Sequence, residues 1–197
     1  MGLPARKQGE FRFADYQSWP ERERWQLLDG TAYAMAPPNW AHQQVVVELS
    51  GQLRDALKGN PCRLSIAPTG VRLPRANEAD DNVRTVFEPD LLVVGDGSKI
   101  DSRGIRGAPD VVIEVLSPST ASFDQIEKRQ AYERAGVREL WLIDVGNGSV
   151  MIYRQRESGR PGFAAPEIVR TCGKVAIEAL PGVALDLDFV EALRDVQ

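Results

Sequence analysis

Between residues 40 and 57 the apolar positions recur at helical spacing. Val46, Leu49, Leu53 and Leu57 fall on one face, with Val45 and Ala56 beside it, and Gly59-Asn60-Pro61 ends the run. Elsewhere the apolar positions come in short runs cut by turn residues. Segments 24–28 and 31–35 flank Asp29-Gly30, a two-residue hairpin signal. Segments 62–66 and 70–73 read as short strands, and 83–94 and 110–116 as the two central ones, joined by a glycine-rich, charged link over 95–108. A second helix is expected over 123–135, with Ser122 and Gln125 as a capping box and Gly136 as its stop. Strands at 139–145 and 149–154 then turn about Gly146-Asn147-Gly148, and a last helix is expected near 188–194. A short helix over 14–19 should end at Pro20, which cannot easily continue it. Residues 1–12 are polar and expected to be loose, as is the polar stretch 75–82. With no repeat, low-complexity tract or linker, residues 13–197 read as one mixed α/β domain.

Composition narrows the class only a little. A chain of 197 residues with 43% hydrophobic and 26% charged residues can bury one real core. Its net charge of −4 has the wrong sign for gripping nucleic acid by bulk electrostatics, so any polyanion would need a local basic cleft or a bound cation. Cys62 and Cys172 lack CxxC spacing and His42 is the lone histidine, which argues against a Cys/His zinc site. The cysteines read as two buried, reduced thiols. No apolar stretch approaches the ~20 residues a membrane helix needs, and the N-terminus lacks the apolar core of a signal peptide. A cytoplasmic protein is expected.

Two acidic residues break this bland picture. Asp90 follows Pro89 at the head of Leu91-Leu92-Val93-Val94, and a proline there marks a strand start, edge or bulge. Glu114 stands in Val111-Val112-Ile113-Glu114-Val115-Leu116, where the period of two puts Val112 and Leu116 on its own face. A carboxylate among apolar neighbours is costly to bury alone. Two on neighbouring strands can share a divalent cation, with the Val115 carbonyl as a third hard oxygen donor. Asp110 lies on the Glu114 face as a possible extra acid, but after Pro109 at a strand start it reads first as a cap. Asp124, Lys128 and Tyr132 share a helical face, where Lys128 could reach a phosphate or merely pair with Asp124. His42, near a helix start, reads as a polar surface or capping residue before a helper. Trp141 and Tyr153 read as core or strand-surface aromatics.

The ordered set Glu88-Pro89-Asp90-Leu91-Leu92-Val93, residues 107–120, and Lys128-x3-Tyr132-x3-Gly136-Val137-x-Glu139-x-Trp141-Leu142-Ile143-Asp144 resembles the Uma2 family, also called the domain of unknown function 820. The likeness extends to Leu28-Asp29-Gly30, Pro37-Pro38 and His42-Gln43, covering about residues 13–190. The resemblance implies a restriction-endonuclease-like α/β (α+β) fold, a central mixed sheet flanked by helices, with an N-terminal hairpin and short C-terminal strands. It also implies a Mg²⁺- or Mn²⁺-dependent endonuclease acting on nucleic acid, DNA ahead of RNA, as a homodimer. Asp90 and Glu114 take the places of the two motif acids. Leu116 stands where the motif lysine would fall, and Lys128 fits a lysine moved to the next helix. Where family members often carry an acid, this chain has Gln26, which accepts a hydrogen bond but brings no charge. Two other readings stay open: a catalytically silent binding or assembly module, and an enzyme acting on a small phosphoester.

Overall fold

The computed structural model describes residues 6–7, 9–20, 23–117, 122–156 and 162–196. Helix α1 (Phe13–Gln17) leads into the hairpin of β1 (Trp25–Leu28) and β2 (Thr31–Ala34), where Asp29 and Gly30 both take the positive φ that a tight turn requires. Helix α2 (Trp40–Ala56) follows, capped by the Asn39 side chain on the His42 N–H at 2.8 Å. Then come β3 (Arg63–Ile66), β4 (Val71–Arg72), β5 (Val86–Phe87), β6 (Leu91–Val94) and β7 (Val111–Val115). A π-helical turn, Phe123–Lys128, runs into α3 (Arg129–Ala135), before β8 (Glu139–Asp144), β9 (Ser149–Arg154) and β10 (Glu167–Arg170).

Two sheets carry the fold. One has the order β10-β9-β8-β7-β6-β3, and β7 and β8 are its parallel pair, joined by the crossover through α3. The other holds Arg6–Lys7, β2, β1, β5, β4, Gly104–Arg106 and Ile100–Asp101, in that order. Because residues alternate along β6 and β7, each face of the first sheet has its own core. Leu91, Val93, Val111, Ile113 and Val115 pack with Val45, Val46, Leu49 and Leu53 of α2. Leu92, Val94, Val112 and Leu116 pack with Phe87, Phe123, Ala131 and Tyr132.

Several expectations need correction. The run expected as one strand over 83–94 is two: Glu88-Pro89-Asp90 carries the chain from one sheet to the other, since Pro89 has no N–H for a ladder. The link over 95–108 contains two short paired strands. The stretch over 75–82 is tied down, with Asp80 paired to Arg72, Arg103 and Arg106. Residues 1–12 are not loose where described: Arg6–Lys7 pair with β2, and the Phe11 N–H donates to the Gly30 carbonyl at 2.8 Å. Ser122 has helical φ and ψ and makes no side-chain cap, so the capping box does not form. Cys172 is exposed and Cys62 half-buried, and both are free thiols. Among the described residues no helix is long and apolar enough to cross a membrane.

The helix stop is as expected. Gly136 has φ 90°, and its N–H bonds the Tyr132 and Glu133 carbonyls. A Cβ there would meet nothing within 4 Å, so only backbone strain opposes a side chain. Gly136→Ala should therefore cost about 1–2 kcal/mol in urea unfolding, and Gly136→Asn less, because asparagine tolerates the left-handed region.

Candidate active site

The β6–β7 ladder pairs Val111 with Val93, Val112 with Leu92 and Ile113 with Leu91. One further step in that register sets Asp90 opposite Glu114, with both side chains on one face. The Val115 N–H donates to Asp90 Oδ2 at 2.8 Å, which fixes the carboxylate where β6 begins. Glu114, 3% exposed, accepts at Oε1 from Lys128 Nζ at 3.0 Å and from the Tyr132 hydroxyl at 2.7 Å. Lys128 also pairs with Asp124 Oδ1 at 3.2 Å, and all three charged groups are buried. The helical face that carries Asp124, Lys128 and Tyr132 is thus turned onto Glu114. It crosses a π-helical turn, a feature often found at functional positions.

Asp90, Glu114, Val115, Asp124 and Lys128 line one cavity of ≈ 230 Å³, together with Gln26 and His42. Asp110 does not: it accepts from the Gly95 N–H at 2.7 Å and from Arg138 at 3.2 Å, so it acts as a strand-start cap. His42 is neither a surface residue nor the helix cap. Its side chain is 12% exposed and its Nε2 lies 3.1 Å from Asp90 Oδ2. The sequence signal was its place in the first turn of α2, but the distance to Asp90 follows only from the packing of α2 on β6. Trp141 is core, while Tyr153 is half-buried beside Phe163 and under the Arg129 guanidinium.

The family model for Uma2, described as "Putative restriction endonuclease", matches residues 13–188. The chain belongs to the Uma2 family. It is 28% identical over 149 residues to "Uncharacterized protein slr1290" of Synechocystis, covering 74% of each chain. Its fold matches a solved DUF820 protein of Anabaena variabilis, described as "a putative nuclease", with a TM-score of 0.71 and 17% identity. That match covers 93% of this chain and 99% of the other. The expected mixed sheet with flanking helices is therefore the observed architecture.

The electrostatics of this family member's cavity follow from burial. Desolvation pushes Glu114 up to about 7, helped by the Asp90 and Asp124 charges and opposed by Lys128. Burial works against the Lys128 ammonium, but Asp124, Glu114 and Asp90 outweigh it and hold the proton above the usual lysine range. His42 likewise loses to burial and gains more from Asp90, so its pKa is raised. Tyr132 is pushed up by burial and by Glu114, and stays a donor.

Two atoms in this cavity lack partners: Gln26 Oε1 and His42 Nδ1 are both buried and make no hydrogen bond. Such orphans are unfavourable unless something occupies the space. The lining also holds four carboxylates, Glu88, Asp90, Glu114 and Asp124, against the cations Arg24 and Lys128. A phosphodiester anion would be repelled there unless a cation came with it. Among the described residues no three His, Cys, Asp or Glu side chains gather as a metal cage. The oxygens that could serve a hard, partly hydrated divalent ion are the Asp90 and Glu114 carboxylates and the unpartnered Gln26 Oε1, all on residues that line this cavity.

Sequence reasoning missed Arg24 and gave Glu88 no role beyond the motif. Glu88, 8% exposed, accepts from Arg24 Nη2 at 2.6 Å and from the Tyr16 hydroxyl at 2.8 Å. Neither has a local sequence signature, because the three residues come from separate elements.

Proposed function

We propose that this Uma2 protein is a divalent-metal-dependent endonuclease with Asp90 and Glu114 as its acidic ligands and Lys128 as its buried cation. The observation that carries this reading is the sharing of one cavity by Asp90, Glu114 and Lys128, with Lys128 Nζ 3.0 Å from Glu114. Asp90 and Glu114, with the Val115 carbonyl and Gln26 beside them, would hold Mg²⁺ or Mn²⁺. When bound, such an ion supplies a more acidic water and positive charge for the phosphate oxygens. Lys128 keeps its proton and offsets charge that develops on the phosphate. Tyr132 orients Glu114, and the Val115 N–H and His42 orient Asp90. DNA ahead of RNA as substrate, and a homodimer able to cut two strands, belong to the same proposal and rest on family membership.

Incubating plasmid, single-stranded DNA and RNA with the protein and Mg²⁺ or Mn²⁺ tests it. Cutting is expected, and EDTA should abolish it. One observation favours a second reading, a silent binding module: Gln26 is neutral and Glu114 is already engaged by Lys128 and Tyr132. Mn²⁺ binding without cleavage of any of the three substrates would support that module and overturn the nuclease. A chromogenic phosphodiester cut in their place would point to a small phosphoester substrate.

A further inference from the structure

Among the described residues, the cations Arg24 and Lys128 line the Asp90–Glu114 cavity, and they differ in what they leave open. Lys128 is 4% exposed and closed in by Glu114 and Asp124. Arg24 has its side chain 39% exposed and is held along one edge: Nε and Nη2 donate to Glu88 Oε2 at 3.2 and 2.6 Å. Its Nη1 donates to none of the described residues. Glu88, 8% exposed, is fixed at its other oxygen by the Tyr16 hydroxyl at 2.8 Å, so the guanidinium has a firm anchor. A buried ion pair adds little stability over apolar side chains of similar size. Stability alone therefore does not account for this pair on a cavity wall. The Met35 N–H donates to the Arg24 carbonyl at 2.9 Å, which carries the β1–β2 ladder one step past Trp25. Arg24 and Gln26 thus share a strand face, roughly 7 Å apart along the chain.

We infer that Arg24 forms a second phosphate subsite in this cavity, which takes the backbone phosphate next to the one held by the cation and Lys128. An arginine fixed by a carboxylate along one edge presents its remaining N–H groups, in one plane, to phosphate oxygens. Gln26, with its unpartnered Oε1, stands at the cation end of the cavity. The spacing from Gln26 to Arg24 is about the step between successive phosphates of one strand. The four lining carboxylates repel any phosphate that lacks a counter-charge. The cation meets that need at one end and Arg24 at the other. The substrate class follows. Two neighbouring phosphodiesters fill the site, so a nucleic-acid strand binds ahead of a small ester with a single phosphate.

This inference rests on the nuclease reading, yet its test can fail separately. The probe is trithymidylate, three thymidines joined by two phosphodiesters, titrated into the protein by calorimetry with Ca²⁺ in place of Mg²⁺. Replacing either phosphodiester by an uncharged methylphosphonate leaves one phosphate for the cation and none for Arg24. The wild-type protein is expected to lose about tenfold in affinity, as for a hydrogen bond to a charged group. The double variant Arg24→Gln, Glu88→Gln puts a neutral pair in place of the ion pair and strands no buried carboxylate. It should bind both probes alike, as weakly as the wild-type protein binds the methylphosphonate. A purely structural role for Arg24 would weaken the two probes together and leave their ratio unchanged. Equal affinity of the two probes for the wild-type protein, absence of trithymidylate binding, or a folded double variant with the wild-type ratio would each overturn the subsite. If the double variant does not fold, the comparison on the wild-type protein decides. Cutting of DNA with Mn²⁺ is scored apart. A tenfold ratio without cutting would remove the nuclease and leave the subsite, and cutting without that ratio would do the reverse.

Discussion

Lys128→Met is expected to lower the free energy of unfolding by about 3–5 kcal/mol near pH 8, as for other buried ion pairs stripped of one partner. Lys128 is 4% exposed and lies between Glu114 at 3.0 Å and Asp124 at 3.2 Å, so methionine would leave two buried carboxylates without their counter-ion. The pH dependence follows from the raised Glu114 pKa. A carboxyl whose folded pKa, about 7, exceeds its unfolded value of 4.5 contributes stability that is full below 4.5 and is lost as pH rises through 7. Removing Lys128 takes away the one nearby charge that lowers this pKa, so the deficit of the variant should shrink toward pH 5, where Glu114 takes up a proton. Lys128 itself stays protonated over that range, because a lysine whose folded pKa is raised begins to lose its own linked stability only above the ordinary value of 10.5. Urea unfolding at pH 5.5, 7 and 8.5 measures both effects. A variant as stable as wild type at pH 8.5 would show that Lys128 is not the counter-ion these distances imply. The same numbers bear on activity assays: loss of cutting in a lysine variant speaks for chemistry only where the variant is shown to be folded.

How legible this was in the sequence differs from element to element. The helical spacing of Val46, Leu49 and Leu53 described α2 to within a residue, because an amphipathic stripe is a local pattern. The face of Glu114 was equally local: strand alternation put Val112 and Leu116 beside it, and they share one core. The division of 83–94 between two sheets was less visible, since Pro89 signals a break without saying where the chain goes next. Ser122 failed as a cap because the helix begins through a π-helical turn, which no simple spacing announces. The Arg24–Glu88–Tyr16 group and the His42–Asp90 contact join residues 48 to 72 positions apart in the chain. Such contacts depend on how sheets and helices pack, which periodicity does not encode.

Asp90→Asn is expected to reduce metal-dependent cutting by about 10³-fold or more and to abolish the heat of Mn²⁺ binding, while leaving the fold intact. The separation is possible because asparagine retains an oxygen for the Val115 N–H, now 2.8 Å from Asp90 Oδ2, and loses only the charge. A lost ligand charge removes several kcal/mol of stabilisation from the metal and the phosphate it faces, and each 1.36 kcal/mol is tenfold in rate. In the wild-type protein, Mn²⁺ affinity should climb about tenfold per pH unit up to pH 7, because Glu114 must give up its proton to bind a cation. His42, whose pKa the Asp90 carboxylate raises against the effect of burial, should add a second released proton when the cation engages Asp90. Calorimetry in two buffers of different ionisation enthalpy counts those protons directly. An Asp90→Asn protein that binds Mn²⁺ like wild type, or an affinity flat from pH 5.5 to 7.5, would place the metal away from the Asp90–Glu114 pair. In that case the buried Lys128–Glu114–Asp124 cluster would be structural, and the silent binding module would be the better account of the protein.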